Sequence, residues 1–213
     1  MILIALLAND EIFANLFTKL EEAQVLVTAI YSKAFLLVEY FQKRVKSYLK
    51  LSKKELTAPF LVVSRASEYT FRQIFFYEGH LRISRLVELD PDTKDMTRAL
   101  VHETKLAIAY VRSQNFMPAD SEVGFVFLDR DPGLLAGLLE PCKQEGLVSD
   151  DNEQQLFKVL TFNELTKNSQ YCSFDNIRCF SQPAVVDFVF TENTGVLAIT
   201  GAKACENGFI RAS

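Results

Sequence analysis

The sequence predicts an α/β domain in which helices pack on a mixed sheet, and three observations carry that expectation. Strand-like apolar runs, rich in β-branched and aromatic residues, recur at 60–63, 70–77 and 81–89. Over 81–89, Leu81, Ile83, Arg85 and Val87 alternate with Arg82, Ser84, Leu86 and Glu88, the period that puts every second side chain on one face of a strand. Glu78-Gly79-His80 lies between the second and third runs, with glycine free to take the backbone angles of a tight turn. A near-continuous apolar run, 123–128, then follows a long amphipathic stretch, as a fully buried strand follows a helix. Short turns make the first three strands an antiparallel meander, and the later alternation of helix and strand completes a mixed sheet.

The elements follow in order. Residues 2–8 read as a buried strand. Asn9 or Asp10 caps a helix whose apolar face is Ile12, Phe13, Leu16, Phe17 and Leu20. Residues 25–30 form a short β-branched strand. Ser32 starts a second helix reaching about Leu51, with Phe35, Leu36, Val38, Tyr40, Phe41, Val45, Tyr48 and Leu49 as its mainly buried set. The charged run 50–55 ahead of Pro59 reads as a solvated connection. After the meander, Asp90-Pro91-Asp92-Thr93 opens a long helix to about Phe116, because proline lacks only an N–H that a first turn leaves unpaired. Met96, Leu100, Leu106, Ile108, Ala109 and Val111 supply its apolar side. Asp131 or Pro132 opens a further helix to Glu145, which Gly146 ends. Residues 150–155 are polar and 156–162 form a strand. Residues 174–190 read as helical with a break at Pro183, and 196–200 as a last short strand. The expected division is an N-terminal αβα segment, 1–58, packing on a main domain, 59–213.

Composition sets the class. The chain has 213 residues, 49% of them apolar, with eighteen Phe and no Trp, enough to bury a sizeable core. A net charge of −4 argues against a general nucleic-acid binder, which needs an excess of Lys and Arg to displace counterions from phosphates. Cys142, Cys172, Cys179 and Cys205 form no Cys-x-x-Cys pair and match no zinc spacing, so they read as four reduced thiols in a reducing compartment. The apolar start, residues 1–8, lacks the basic lead of a signal peptide and is too short to span a bilayer. Opening on a strand-like run suggests a chain cut from something longer.

Candidate chemistry is sparse. His80 falls at the turn and His102 on the long helix, and neither has a second histidine or cysteine at metal-ligand spacing. Asp129 and Asp131 end a buried strand, where open α/β sheets place ligands. Asp90 and Asp92 stand at a helix start. Helix capping accounts for both pairs of acids. The sequence contains no P-loop, no Gly-x-Gly-x-x-Gly and no Gly-x-Ser-x-Gly. Ser64-Arg65-Ala66-Ser67 offers a cation and two hydroxyls to an anion, although a plain turn between strands explains it as well. Arg72, Arg82 and Arg85 crowd the meander. Arg72 and Arg82 are expected near each other across the hairpin, with Glu68, Glu78 or Glu88 intervening. Arg85 and Glu103 are expected to pair between the third meander strand and the long helix, because a strand joined to a helix by a short connection packs that helix back on its own sheet.

The run from Phe71 to Leu86, then 100–110 with Glu103 and Tyr110, then 123–128, resembles the actin-like (ribonuclease-H-like) domain of bacterial pilus-assembly and type II secretion proteins of the PilM and GspL type. Gly79, Leu81, Ser84, Arg85, Glu103 and Tyr110 stand at the positions that carry the resemblance, which spans roughly residues 20–160. It implies a ribonuclease-H-like sheet. The implied role is a non-catalytic scaffold, the cytoplasmic part of a membrane-associated pilus or secretion assembly platform. Its partners would be protein subunits of that platform or further copies of the chain, with no nucleic acid, and any membrane attachment would come through parts outside this chain. Arg72, Arg85 and Glu103 are the candidate structural clamp or docking residues. Actin-like folds often bind ATP through Gly- and Asp-rich phosphate loops, and this chain has Val63-Ser-Arg-Ala66 where such a turn would sit. No catalytic residue, metal or cofactor is therefore assigned. The alternative is a nucleotide-binding phosphotransferase or ATPase-like enzyme using Asp129 or Asp131 with a metal.

Overall fold

The computed structural model describes residues 11–24, 27–31, 37–38, 40–166, 196–197 and 209–212. Its elements in chain order begin with helix α1 (Glu11–Glu22) and strand β1 (Val27–Tyr31). Segment α2 has Phe41–Val45 in the wide π register and continues as Lys46–Tyr48. Helix α3 (Lys53–Thr57) leads into β2 (Phe60–Arg65), β3 (Thr70–Tyr77) and β4 (His80–Glu88). Helix α4 (Met96–Ser113) and strand β5 (Gly124–Asp129) follow. Short helices α5 (Pro132–Ala136), α6 (Leu139–Gln144) and α7 (Glu153–Leu156) come next, then β6 (Phe157–Thr161), α8 (Phe162–Thr166), β7 (Val196–Leu197) and β8 (Phe209–Ala212).

The main sheet has five strands in the order β4-β3-β2-β5-β6. β3 runs antiparallel to both β2 and β4, whereas β2, β5 and β6 are parallel. Numbered from the first strand of this sheet, the order is third, second, first, fourth, fifth, the arrangement of a ribonuclease-H-like sheet. The expected meander is present, and so is the mixed sheet. β1, β8 and β7 form a separate antiparallel sheet in that order.

Period-two alternation in the central strands builds two cores. Phe60, Val62, Ile74, Phe76, Val126, Leu128 and Leu160 face Leu37, Val38, Tyr40, Phe41 and Val45. The rings of Phe41, Phe60 and Phe76 stack with centroids 4.8–5.3 Å apart, joining helix to sheet. Leu61, Val63, Phe71, Phe75, Phe125 and Phe127 face the other way, onto α4, α5 and α6. α4 buries Leu100, Val101, Thr104, Ala107, Ile108 and Val111, the i, i+1, i+4, i+7, i+8, i+11 spacing of one helix face. The result is a sheet between two helical layers.

The β3–β4 turn has two central residues, Glu78 at φ 54° and Gly79 at φ 74°, with Tyr77 paired to His80. Two left-handed residues make the hairpin turn whose twist matches its strands. The alternation on β4 is not continuous. Phe75 pairs with Ile83 but Phe76 with Leu81, so Arg82 is an extra bulge residue. Leu81 therefore packs with the Phe41–Phe60 core while Ile83 packs with the α4 core.

Several boundaries differ from expectation for local reasons. α4 begins after Asp95, whose Oδ1 accepts from Arg98 N at 3.0 Å. Asp90-Pro91-Asp92-Thr93 is instead a turn closed by Thr93 N–H donating to Asp90 O. Leu106, expected on the buried side, is 45% exposed. The helix expected over 131–145 breaks at Gly137 and resumes at Leu139. The supposed connection 50–55 contains α3, opened by a reciprocal box in which Glu55 N donates to Ser52 Oγ and Ser52 N to Glu55 Oε2. That Ser-x-x-Glu signal was readable in the sequence. Residues 150–155 likewise run into the short helix α7. The expected elements at 2–8 and 174–190, and the end of the last strand beyond Leu197, lie outside the described residues.

Cys142 is a free thiol with no solvent exposure. Burial pushes its pKa up to about 12, so almost no thiolate exists at neutral pH. Cys172, Cys179 and Cys205 lie outside the described residues. Cys142 is expected to resist alkylation in the native protein and to react once denatured. Iodoacetamide labelling followed by peptide mapping measures this, and rapid native labelling of Cys142 would contradict the packing described.

Candidate functional site

The carboxyl ends of the three parallel strands come together at Arg65, Asp129 and Thr161, with Asp129 paired in register to Thr161. In open α/β sheets this is where ligands bind. Asp129 is 1% exposed and Arg65 6%. Arg65 Nε donates to Asp129 Oδ2 at 2.7 Å. Asp129 Oδ1 accepts the Asp131 N–H at 2.9 Å. Both carboxylate oxygens are thus engaged from within the chain. Arg65 also donates through Nη1 to Glu68 O, within the β2–β3 turn, and through Nη2 to the sulfur of Met96 at the start of α4. Its guanidinium lies 5.1 Å from the ring centroid of Phe71, a desolvated cation–π contact.

The neighbouring groups are consumed in the same way. Asp131 caps α5, accepting from Gly133 N at 2.8 Å. Thr161 and Glu164 form a box at the start of α8, with Glu164 Oε2 accepting from Thr161 N and Thr161 Oγ1 accepting from Glu164 N. The Ser64-Arg65-Ala66-Ser67 stretch closes a tight turn through Ala66 N and Ser67 N donating to Thr70 O. Among the described residues no group of three His, Cys, Asp or Glu side chains is placed to hold a metal ion. Burial pushes the Asp129 carboxyl up, opposed by the Asp131 amide and the Arg65 charge. With its folded value above its unfolded one, folding favours the protonated form there, and that contribution fades as pH rises through the folded value.

The second polar cluster joins β3, β4 and α4. Arg85 Nε donates to Gln73 Oε1 at 2.6 Å, and Arg85 Nη2 reaches Glu103 O at 2.8 Å and Glu103 Oε2 at 3.2 Å. Gln73, 1% exposed, continues to Thr104, whose hydroxyl donates to Leu100 O. Glu103 lies about two turns into α4, since the helix begins at Met96. Arg72 and Arg82 do not meet across the hairpin. Arg72 pairs in register with Leu86 and donates to Ser84 Oγ at 3.2 Å, and burial pushes its pKa down. Arg82 pairs with Glu78 at 3.2 Å, four residues away. His80 and His102 are exposed. Arg65 is the residue that sequence reasoning weighed only as an anion hook. Its position one strand from Asp129 follows from the parallel β2–β5 register, which the sequence does not display.

Comparison with known proteins places the chain in no family: no family model matches it, and no curated protein does. Among solved structures, a chain titled as the Aquifex aeolicus member of the Ppx/GppA protein family aligns at 10% identity with a TM-score of 0.26. The alignment covers 49% of this chain and 35% of that one. Among the described residues no helix is long and apolar enough to cross a membrane.

Two mutational outcomes follow. Arg65→Ala and Asp129→Ala should each cost about 3–5 kcal/mol, because each strands a buried charge, while Arg65→Met with Asp129→Leu should cost less than either single change. Urea denaturation of the set measures this, and additive losses would disprove the coupling. Arg85→Ala should cost about 1–3 kcal/mol by stranding the buried Gln73 oxygen. Glu103→Ala should cost under about 1 kcal/mol, since the pair is only part-buried and Arg85 keeps its other acceptors. Equal losses would show that Gln73 contributes nothing to the cluster.

Proposed function

We propose that this chain is a non-catalytic protein-interaction scaffold, part of the cytoplasmic face of a membrane-associated pilus or secretion assembly platform. The observation that carries the reading is the Arg65–Asp129 pair at the carboxyl ends of β2 and β5. A carboxylate that is to hold a metal–nucleotide complex must turn oxygens toward an open site. Asp129 spends one oxygen on Arg65 and the other on the Asp131 amide, at 1% exposure. The resemblance to pilus and secretion proteins at Gly79, Leu81, Ser84, Arg85, Glu103 and Tyr110 supports the setting. Those residues lie in the β3–β4 hairpin and α4, where Arg85 and Glu103 join strand to helix. Arg72 and Arg85 then act by holding the meander in shape for its partners.

Melting the protein with and without Mg-ATP tests the reading. A ligand at a hundred times its dissociation constant adds about 2.7 kcal/mol to a folded state that binds it, a readily measured shift. No shift is expected here. A rise that disappears in Asp129→Asn would replace the scaffold with the nucleotide-binding phosphotransferase reading.

A further inference from the structure

Strand β4 stands at one end of the five-stranded sheet, and among the described strands none covers its outer backbone. About half of its nine residues turn backbone N–H and C=O groups to the outer edge, since an antiparallel strand bonds its neighbour through alternate residues, and those groups template pairing with another strand. We infer that this edge pairs antiparallel with β4 of a second copy of the chain, about a two-fold axis at Arg85, joining the two sheets into one.

The β4 sequence complements itself in that register. With Arg85 opposite Arg85, Ile83 lies opposite Val87, Ser84 opposite Leu86 and Arg82 opposite Glu88, and the two-fold axis repeats each pair. The match preserves the faces. Ile83, Arg85 and Val87 lie toward α4, while Arg82, Ser84, Leu86 and Glu88 share the opposite face. Leu86, 54% exposed, gains cross-strand neighbours. Glu88, exposed at the strand end, gains a cation. Arg82 keeps its Nε without an acceptor while Nη2 holds Glu78. Two arginines at the axis would repel, but each Arg85 carries its own counter-charge, Glu103, 3.2 Å away. A shift of two residues would set Arg82 against Leu86 and Arg85 against Ile83, losing the Arg82–Glu88 match and the Ile83–Val87 pair.

The surroundings fit an added strand. The bulge at Arg82 lies outside the segment 83–87, so the centre of the pairing is regular. Tyr110 lines a small cavity with Ile83 and Arg85 where α4 overlies β4. Tyr110 and Leu106, one helical turn apart, are 51% and 45% exposed, an apolar pair on the helix that packs on this face of β4.

Light scattering coupled to gel filtration over a concentration series, with sedimentation equilibrium for the constant, tests the inference. The unmodified chain should be a dimer. Arg82→Glu or Glu88→Arg sets like charges together twice and should raise the dimer dissociation constant about tenfold or more. The two changes combined should restore it. Melting curves of the three variants separate lost pairing from lost folding. A Ser84→Cys, Leu86→Cys variant gives an independent readout, since oxidation should link two copies through the opposed positions. A monomer at every concentration, a dimer indifferent to both reversals, or a reversed pair that fails to recover would each overturn the inference. A strand supplied by a different protein would appear as the first of these.

Discussion

The contact between Arg65 and Asp129 is the constraint around which the sheet is organised. It ties the last residue of β2 to the last residue of β5 through a buried side-chain bond. Through Glu68 O it fixes the β2–β3 turn, and through Met96 it reaches the first turn of α4. Taking two charges out of water costs several kcal/mol per ion, and the pair in return selects one alignment of the parallel strands. The apolar residues around it supply the bulk of the burial. Leu61, Val63, Phe125 and Phe127 make aliphatic and aromatic contacts that are not directional. A single guanidinium–carboxylate bond does not tolerate a slip of β5. Register specificity is a role that buried polar pairs can hold in place of net stability.

The same end of the sheet illustrates how an architecture that often hosts ligands can be closed from within. Three helices begin close to these strand ends, and each takes a polar side chain for its free N–H groups. Asp95 serves α4, Asp131 serves α5, and Thr161 with Glu164 serves α8. A helix N-terminus attracts an anion because its amides are unpaired. Once an acid or hydroxyl of the chain occupies those amides, that attraction is spent internally. The Arg65–Asp129 bond engages the carboxylate between these helix starts in the same way.

How far the sequence displays this depends on the range of the interaction. The meander was legible because period-two alternation and a Glu-Gly turn are local signals. The Arg85–Glu103 contact was reachable because a strand, a short connection and a helix leave few ways to pack. Reading α4 from Pro91 failed because two acids compete for the cap: Asp90 closes its own turn with Thr93 and Asp92, leaving Asp95 to start the helix. The bulge at Arg82 was invisible, since the sequence of β4 alternates without a break while the extra residue turns Leu81 to the face opposite Ile83. Arg65 was the largest gap. Its neighbour is sixty-four residues away, and only the parallel pairing of β2 with β5 makes them adjacent.

These features divide the molecule into a closed end and an open side. At the strand ends, caps and a buried ion pair engage Arg65, Asp129, Asp131, Thr161 and Glu164. Along β4, backbone groups, Leu86 and Glu88 remain available, although edge strands usually protect themselves. The protective devices present are the bulge at Arg82 and the charges of Arg82, Arg85 and Glu88. The bulge, however, lies near the turn, leaving 83–87 in regular register, and Arg82 and Glu88 carry opposite charges three residues either side of Arg85. Arg85 is also fixed by Gln73 and Glu103, so β4 is held to the body of the sheet with its side chains already ordered. A strand that is rigid before it pairs loses less entropy on pairing. The polar cluster beneath β4 thus bears on association as well as on folding: loosening Arg85 would leave the edge sequence unchanged and yet weaken its capacity to template a partner.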